Sequence, residues 1–309
     1  MQNIAEPIDK KILVGELTKD KFVRDANNGD SQIYIITHHD SPHIMREIGR
    51  LREITFRAAG GGTGKPIDID EYDTADAPYR QLIVWNPHDQ EIVGGYRYIK
   101  CKDAPVKNGV VQLATTELFR FSEEFVAKYL PYTIELGRSF VQPKYQPSIE
   151  NRKGLFSLDN LWDGLGALVV DNPDINYFFG KVTMYTHFNQ MARDMILHFM
   201  NHYFPDRDKL VWPIHPLTIR NDMTEFGNML KNLTYKEGHK VLNQKVRALG
   251  ENIPPLVNSY MNLSSTMRTF GTALNEHFGG VEETGIMVTI SDIYETKKER
   301  HISSYKKSV

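Results

Sequence analysis

The sequence predicts an α+β fold, a mixed and mostly antiparallel sheet flanked by helices, on three observations. Short β-branched runs alternate with stretches of helical period along most of the chain. Two runs, 81–85 and 91–99, flank the turn Asn86-Pro87-His88-Asp89 as the arms of a hairpin do. The order strand, helix, antiparallel strands, strand, helix, strand, helix then calls for one mixed sheet with helices covering it.

Taken in order, residues 1–30 are polar and read as an arm or peripheral helix. Ile33-Tyr34-Ile35-Ile36-Thr37 is the first strand. Ser41-Pro42 offers an N-cap and a proline at the first helical position. Ile44, Ile48, Leu51 and Thr55 then recur at helical spacing until the glycines at 60–62. After the hairpin, 132–141 reads as a strand, 158–165 continues from a polar loop, 177–182 is a strand, and 189–204 is a helix. Residues 216–250 are more polar and read as a helical insertion, Pro254-Pro255 opens an apolar helical stretch, and 285–290 closes the domain as a strand. The expected organisation is an arm (1–30), one domain (31–296) carrying that insertion, and a basic tail (297–309).

With 37 Lys and Arg against 39 Asp and Glu, the net charge is −2, which gives no electrostatic case for a nucleic-acid partner. The single cysteine, Cys101, excludes an internal disulfide and suits a reducing compartment. The first residues lack the pattern of a secretory signal, and no stretch approaches the about 20 apolar residues of a membrane span. A cytoplasmic protein is expected, with the basic tail as a contact for acidic headgroups at the inner face of a membrane or for an acidic carrier protein.

Two tempting motifs fail. Gly60-Gly61-Gly62-Thr63-Gly64-Lys65 lacks the first glycine of a nucleotide loop, is followed by Pro66, and comes after a helix; it reads as a turn beside the site. His38, His39 and His43 come without a cysteine or an HExxH pattern, so no metal is expected. Cys101 stands between Lys100 and Lys102, a context that lowers a thiol pKa, yet without a companion base it reads as an incidental thiol.

Three charged clusters remain: Asp68, Asp70, Glu71 and Asp73 ahead of the hairpin; Arg97 on its second arm; and Glu135-Leu136-Gly137-Arg138-Ser139-Phe140-Val141. Glu135 and Arg138 are three apart, so a regular strand would send them to opposite faces. A bulge at Gly137 would aim both into one cleft. The residues alone give a polar, charge-paired cleft in a mixed sheet.

Arg57, Asp70-Glu71-Tyr72-Asp73, Ile92-Val93-Gly94-Gly95-Tyr96-Arg97 and Glu135 to Val141, in that order, resemble the ornithine-acyl-carrier-protein N-acyltransferase family. That bacterial family, often labelled hemolysin, makes the lyso forms of aminolipids on an acetyltransferase-like (GNAT) fold. The pattern is more distantly similar to acyl-homoserine lactone synthases. The resemblance implies an acyl-CoA/acyl-ACP N-acyltransferase fold, no permanently bound cofactor, and partners in acyl carrier protein and an amino-acid acceptor: glycine, ornithine or lysine.

It implies Glu135 as the base and Arg138 beside it, with Arg57, Asp70, Asp73 and Arg97 binding the acceptor. Phe140, Val141, Lys144, Arg152, Lys153 and Trp162 are implied on the donor side. There a backbone N–H near Phe140–Val141 would face the oxyanion, and the pantetheine arm would lie between the strands at 132–141 and 177–182. The chain departs from the family at Tyr145-Gln146, where Tyr-Arg is usual, and at Ala58-Ala59-Gly60-Gly61. The missing cation leaves Lys144, Arg152 or Lys153 to meet a phosphate. The absence of an extra acidic pocket in the sequence favours a small acceptor such as glycine.

Overall fold

A computed structural model describes residues 1–146 and 156–306. Its main sheet has eight strands. In chain order the strands are β1 (Phe22–Asp25), β2 (Gln32–Ile36), β3 (Arg80–Asn86), β4 (Glu91–Lys100), β5 (Val106–Lys107), β6 (Val110–Val111), β7 (Phe119–Phe121), β8 (Thr133–Val141), β9 (Tyr177–Met184), β10 (Val211–Pro213), β11 (Arg268–Asn275) and β12 (Val281–Thr289). The sheet order is β1-β2-β3-β4-β8-β9-β12-β11, with β5–β6 and β7–β10 as separate two-stranded ribbons. Every pairing in the main sheet is antiparallel except β8 with β9.

Helix α1 (Lys10–Glu16) precedes the sheet, and α2 (Pro42–Ala58) lies on one of its faces. The short α3 (Glu71–Thr74) leads into β3. The opposite face is covered by α4 (Ser157–Asp171), α5 (Gln190–Tyr203), α6 (Thr224–Leu230), α7 (Tyr235–Ala248) and α8 (Pro255–Met261), with α9 (Glu295–His301) on the outside of α4. The 216–250 insertion is helical, and Phe226, Leu230, Leu242 and Val246 join the core of that second face. Alternation along β4 shows the division: Val93, Tyr96 and Tyr98 face α4, whereas Ile92 and Ile99 face the other side.

The α2 face holds two separate clusters. One packs Ile44, Ile48, Leu51 and Phe56 of α2 against Phe140, Phe278 and Val281. The other gathers Cys101, Leu113, Phe119 and Phe125 of the 101–130 segment against Phe179, Phe270 and Met287. Between them a strip of sheet carries charged residues instead of core.

Several expectations need correction. The polar first 30 residues are not only an arm: Phe22–Asp25 pairs with β2 and forms the sheet edge, joined by the Asp25–Gln32 register. The tail starts as α9, which docks on α4: His301 Nδ1 lies 2.7 Å from Asp163, and Arg300 pairs with Asp159. Two of its charges are thus spent within the fold, since Lys298 also faces Glu295. Ser41 holds the N-cap position of α2 without a side-chain cap bond. The carboxylate of Glu16 caps that helix instead, accepting the N–H groups of His43 (3.2 Å) and Ile44 (2.9 Å), which helical geometry leaves unpaired.

Candidate active site

Strand β8 fixes the site. Its register with β4 runs Arg97↔Gly137 and Gly95↔Phe140, so Arg138 and Ser139 together oppose Tyr96 alone. This is a bulge, and the left-handed residue is Arg138 (φ +47°), not the Gly137 that the sequence suggested. The extra residue reverses parity. Glu135 and Arg138 therefore line one cleft, about 500 Å³ including its open mouth, together with Arg97, Lys181 and Glu283. A non-glycine residue keeps a left-handed conformation only where its surroundings hold it. Here the Arg138 guanidinium lies 4.2 Å over the Phe278 ring, and its Nε is 2.9 Å from the fully buried Asp68 carboxylate.

Glu135 is buried at 1% exposure. The Tyr79 hydroxyl donates to its Oε2 at 2.8 Å, and the Thr115 N–H donates to Oε1 at 3.0 Å. Burial raises its pKa to about 7, with the Tyr79 hydrogen bond and the positive charge of Lys181 and Arg97 only partly opposing it. The carboxyl is thus poised to take or hold a proton near neutrality.

Behind the cleft-lining Arg97 and Arg138, the residues Arg52, Asp68, Asp70 and Asp73 complete a largely buried charge network. Asp70 caps α3, making a reciprocal capping box with Asp73, and this turns both carboxylates toward the sheet. Arg97 Nη1 lies 2.7 Å from both Asp70 oxygens and 3.4 Å from Asp73. Asp73 also meets Arg52 at 3.1 Å, and the other end of Arg52 donates to Gln81 at 2.5 Å. Burial pushes Asp73 up, but Arg52 and Arg97 outweigh it and hold it near about 2. On the opposite wall Lys181 pairs with Glu283 at 2.8 Å, which keeps that buried carboxyl below its ordinary range against the upward push of burial.

Pairing between β8 and β9 runs from Thr133↔Tyr177 to Leu136↔Gly180 and then stops. A Cβ at Gly180 would collide with the Leu136 carbonyl, so glycine permits this last close approach. Beyond it the strands part into a V. A second cavity fills that V on the α4 side, lined by Tyr96, Phe178, Leu256, Tyr260, Ile286 and Val288. It shares Leu136, Gly137, Arg138, Ser139 and Lys181 with the cleft, so the two spaces meet at the bulge.

Other expected residues lie elsewhere. Arg57 does not reach the cleft: it pairs with Glu53 one turn back (2.7 Å) and donates to the carbonyls of Gln2 and Lys65. Arg52, fully buried against Asp73 and Gln81, joins the charge network behind the cleft instead. Its signal is a charged residue four after Ile48 on the apolar stripe of α2. Phe140 packs under α2 and Val141 against the α4-side core, because the bulge has already turned the strand; neither lines the V. The irregular stretch of β8 is at Arg138–Ser139, whereas Phe140 and Val141 pair with Gly95 and Gly94. Lys144 meets Glu91 at 2.7 Å. Arg152 and Lys153 lie outside the described residues. Trp162 packs edge-on against Tyr260 at 5.3 Å.

Sequence reasoning missed Tyr79, Thr115, Lys181 and Glu283, which ordinary strand and turn patterning conceals. Cys101 is buried, and burial pushes its thiol pKa well up; the flanking lysines do not lower it. The glycine turn is pinned to Glu53, which accepts the Thr63 N–H (3.0 Å), the Thr63 hydroxyl (2.8 Å) and the Gly64 N–H (2.8 Å).

A parted parallel pair beside a buried glutamate is the layout of an acyltransferase of the GNAT class, and a family described as "Acetyltransferase (GNAT) domain" matches residues 51–150. Two relatives are described as glycine N(alpha)-acyltransferase. The one from Phocaeicola vulgatus is 55% identical over 308 residues, covering 99% of this chain and 94% of its own. The one from Bacteroides thetaiotaomicron is 55% identical over 306 residues, covering 99% and 91%. The chain belongs to this family of N-acyltransferases. A solved CoA-dependent acyl-homoserine lactone synthase, BjaI with MTA, aligns over 89% of each chain at 12% identity and a TM-score of 0.37.

Proposed function

We propose that this enzyme moves a fatty acyl group from an acyl carrier protein to the amine of glycine, giving an N-acylglycine of the lyso-aminolipid type. The observation that carries the reading is the position of Glu135, a buried carboxyl with its pKa raised to about 7 in a charged cleft that meets the apolar V at the neighbouring bulge. The thioester enters through the V and presents its carbonyl at the bulge. Glycine occupies the cleft with its carboxylate toward Arg138 and Lys181. Glu135, directly or through water, takes a proton from the glycine ammonium. The free amine attacks the thioester carbon, the C–S bond breaks, and the second proton lost by the nitrogen neutralises the departing pantetheine thiolate. An N–H of the bulged Arg138–Ser139 backbone stabilises the oxyanion.

Glycine is favoured over ornithine or lysine by the pairing of the carboxylates in and behind the cleft. Among the described residues, Asp68, Asp70, Asp73 and Glu283 each face a cation, which leaves none free for a second ammonium. The two relatives named for glycine support the same choice. A carrier-protein donor rests on the sequence resemblance, and Lys144 and the tail lysines are the cations proposed to meet it. No helix among the described residues is long and apolar enough to cross a membrane.

The test supplies acyl-carrier protein or acyl-CoA of one chain length with glycine, alanine, ornithine or lysine, follows thiol release and weighs the product. Acylglycine formed fastest from the carrier-protein thioester is the expected result. Ornithine or lysine preferred over glycine would refute the acceptor, and faster turnover with CoA would refute the donor.

A further inference from the structure

We infer that Phe278, braced by Phe56, is the wall that confines the acceptor to an amino acid without a side chain. The inference rests on the acyltransferase reading above and deepens it, since paired carboxylates disfavour a second ammonium but do not exclude alanine or serine. Phe56 and Phe278 line the same cleft as Glu135, Arg138 and Lys181, and both rings are buried. The Arg138 guanidinium lies 4.2 Å over the Phe278 ring. A carboxylate meets a guanidinium at its edge, and here the ring covers one face. The α-carbon of an acceptor held by Arg138 therefore comes up beside Phe278, and a side chain on that flank runs into the ring.

The ring has little room to withdraw. Phe56 packs edge-on against it, with 5.1 Å between centroids. Next in the chain, Gly279 (φ +80°) meets the glycine turn that follows α2: a Cβ at Gly279 would lie 3.0 Å from the Gly61 Cα. A Cβ at Gly61 would in turn come within 3.1 Å of Val281 and 3.4 Å of the Phe278 carbonyl. The two backbones are in direct contact, and that contact holds Phe278 against the cleft. The glycine turn, which fails as a nucleotide loop, thus backs the acceptor site. Forcing an extra methyl into packed space costs a factor of about 5–150, enough to separate glycine from alanine.

The experiment measures kcat/KM with one acyl donor and glycine, L-alanine, D-alanine or L-serine for the wild type, Phe278→Leu and Phe56→Leu, with melting temperatures recorded for each. Phe278→Leu is expected to lower the glycine-to-alanine ratio about tenfold or more. The gain should fall mainly on one alanine enantiomer, because the wall stands on one flank of the α-carbon. Phe56→Leu removes the brace, leaves Phe278 in place, and should shift the ratio in the same direction by less. A purely structural role lowers all acceptors in proportion, so unchanged ratios in the folded variants overturn the wall. Equal gains for both enantiomers, or a wild type that uses alanine as well as glycine, overturn it too and leave the acyltransferase function standing. A wild type that acylates no amine overturns the function proposed above. Calorimetric binding of glycine and both alanines to the same proteins then decides the wall, which falls if Phe278→Leu binds them in the wild-type ratio.

Discussion

The Tyr79 hydroxyl donates to Glu135 at 2.8 Å while the backbone N–H of Ala114 donates to the Tyr79 oxygen at 3.0 Å. Tyr79 thus links the 101–130 segment to Glu135, the one cleft carboxylate that, among the described residues, faces no cation in a close pair. Burial raises Glu135 and this hydrogen bond partly lowers it. A base must be ionised, so kcat/KM is expected to rise with pH through about 7. Tyr79→Phe removes the opposing hydrogen bond, and the acid limb should move to higher pH. Glu135→Gln should cost roughly 10²–10⁴ in rate. A flat profile between pH 6 and 8 would remove Glu135 from the mechanism.

The same shift has a stability sign. A carboxyl raised on folding is favoured in its protonated form, so its contribution to stability is full below its ordinary value of 4.5 and is lost as pH rises through about 7. Glu135→Gln cannot ionise. The melting temperature of the variant relative to wild type should therefore be higher at pH 8 than at pH 5, by thermal denaturation in matched buffers.

Arg52 and Arg57 separate the buried network from the periphery. Arg52→Ala leaves Asp73 buried without its nearest cation and should cost about 3–5 kcal/mol in chemical unfolding. Arg57→Ala breaks a pair at the cleft's outside, where Glu53 keeps its Thr63 and Gly64 donors, and about 1 kcal/mol is expected. The glycine KM of Arg57→Ala should be unchanged within twofold.

Gly94 lies where β4 and β8 meet beside the bulge. A Cβ there would collide with the Phe140 carbonyl, backbone that cannot swing aside. Gly94→Ala should part the strands, lower stability by about 1–3 kcal/mol as overpacking does, and reduce kcat with it. A variant as stable and active as wild type would show that the β4–β8 approach is looser than described.

Cys101 should resist thiol reagents in the folded state at pH 8, since burial both shields it and keeps it protonated. Its labelling should rise together with global unfolding as denaturant is added. Labelling of one thiol per chain without denaturant would contradict this burial.

Local pattern made much of the fold legible. The hairpin, α2 and α5 follow from periodicity and turn residues within short windows, and the charged triplets marked where core was replaced by something else. β1 escaped because an edge strand of four residues has too little alternation to register. Tyr79, Lys181 and Glu283 escaped because an aromatic or a charge on a strand reads as surface or core until its neighbours are known.

The sequence by itself determined the mixed sheet and the residue types of the charged strip, because strand period and the cost of burying charge act along the chain. Tertiary structure decided which charges meet. One extra residue in β8 reversed the side on which Arg138 and Phe140 emerge, and that depends on pairing with Tyr96, a partner about 40 residues away in the chain. The raised pKa of Glu135 is likewise a property of burial in the sheet, which the hydrogen bonds from Tyr79 and Thr115 only partly oppose, and no local window contains it.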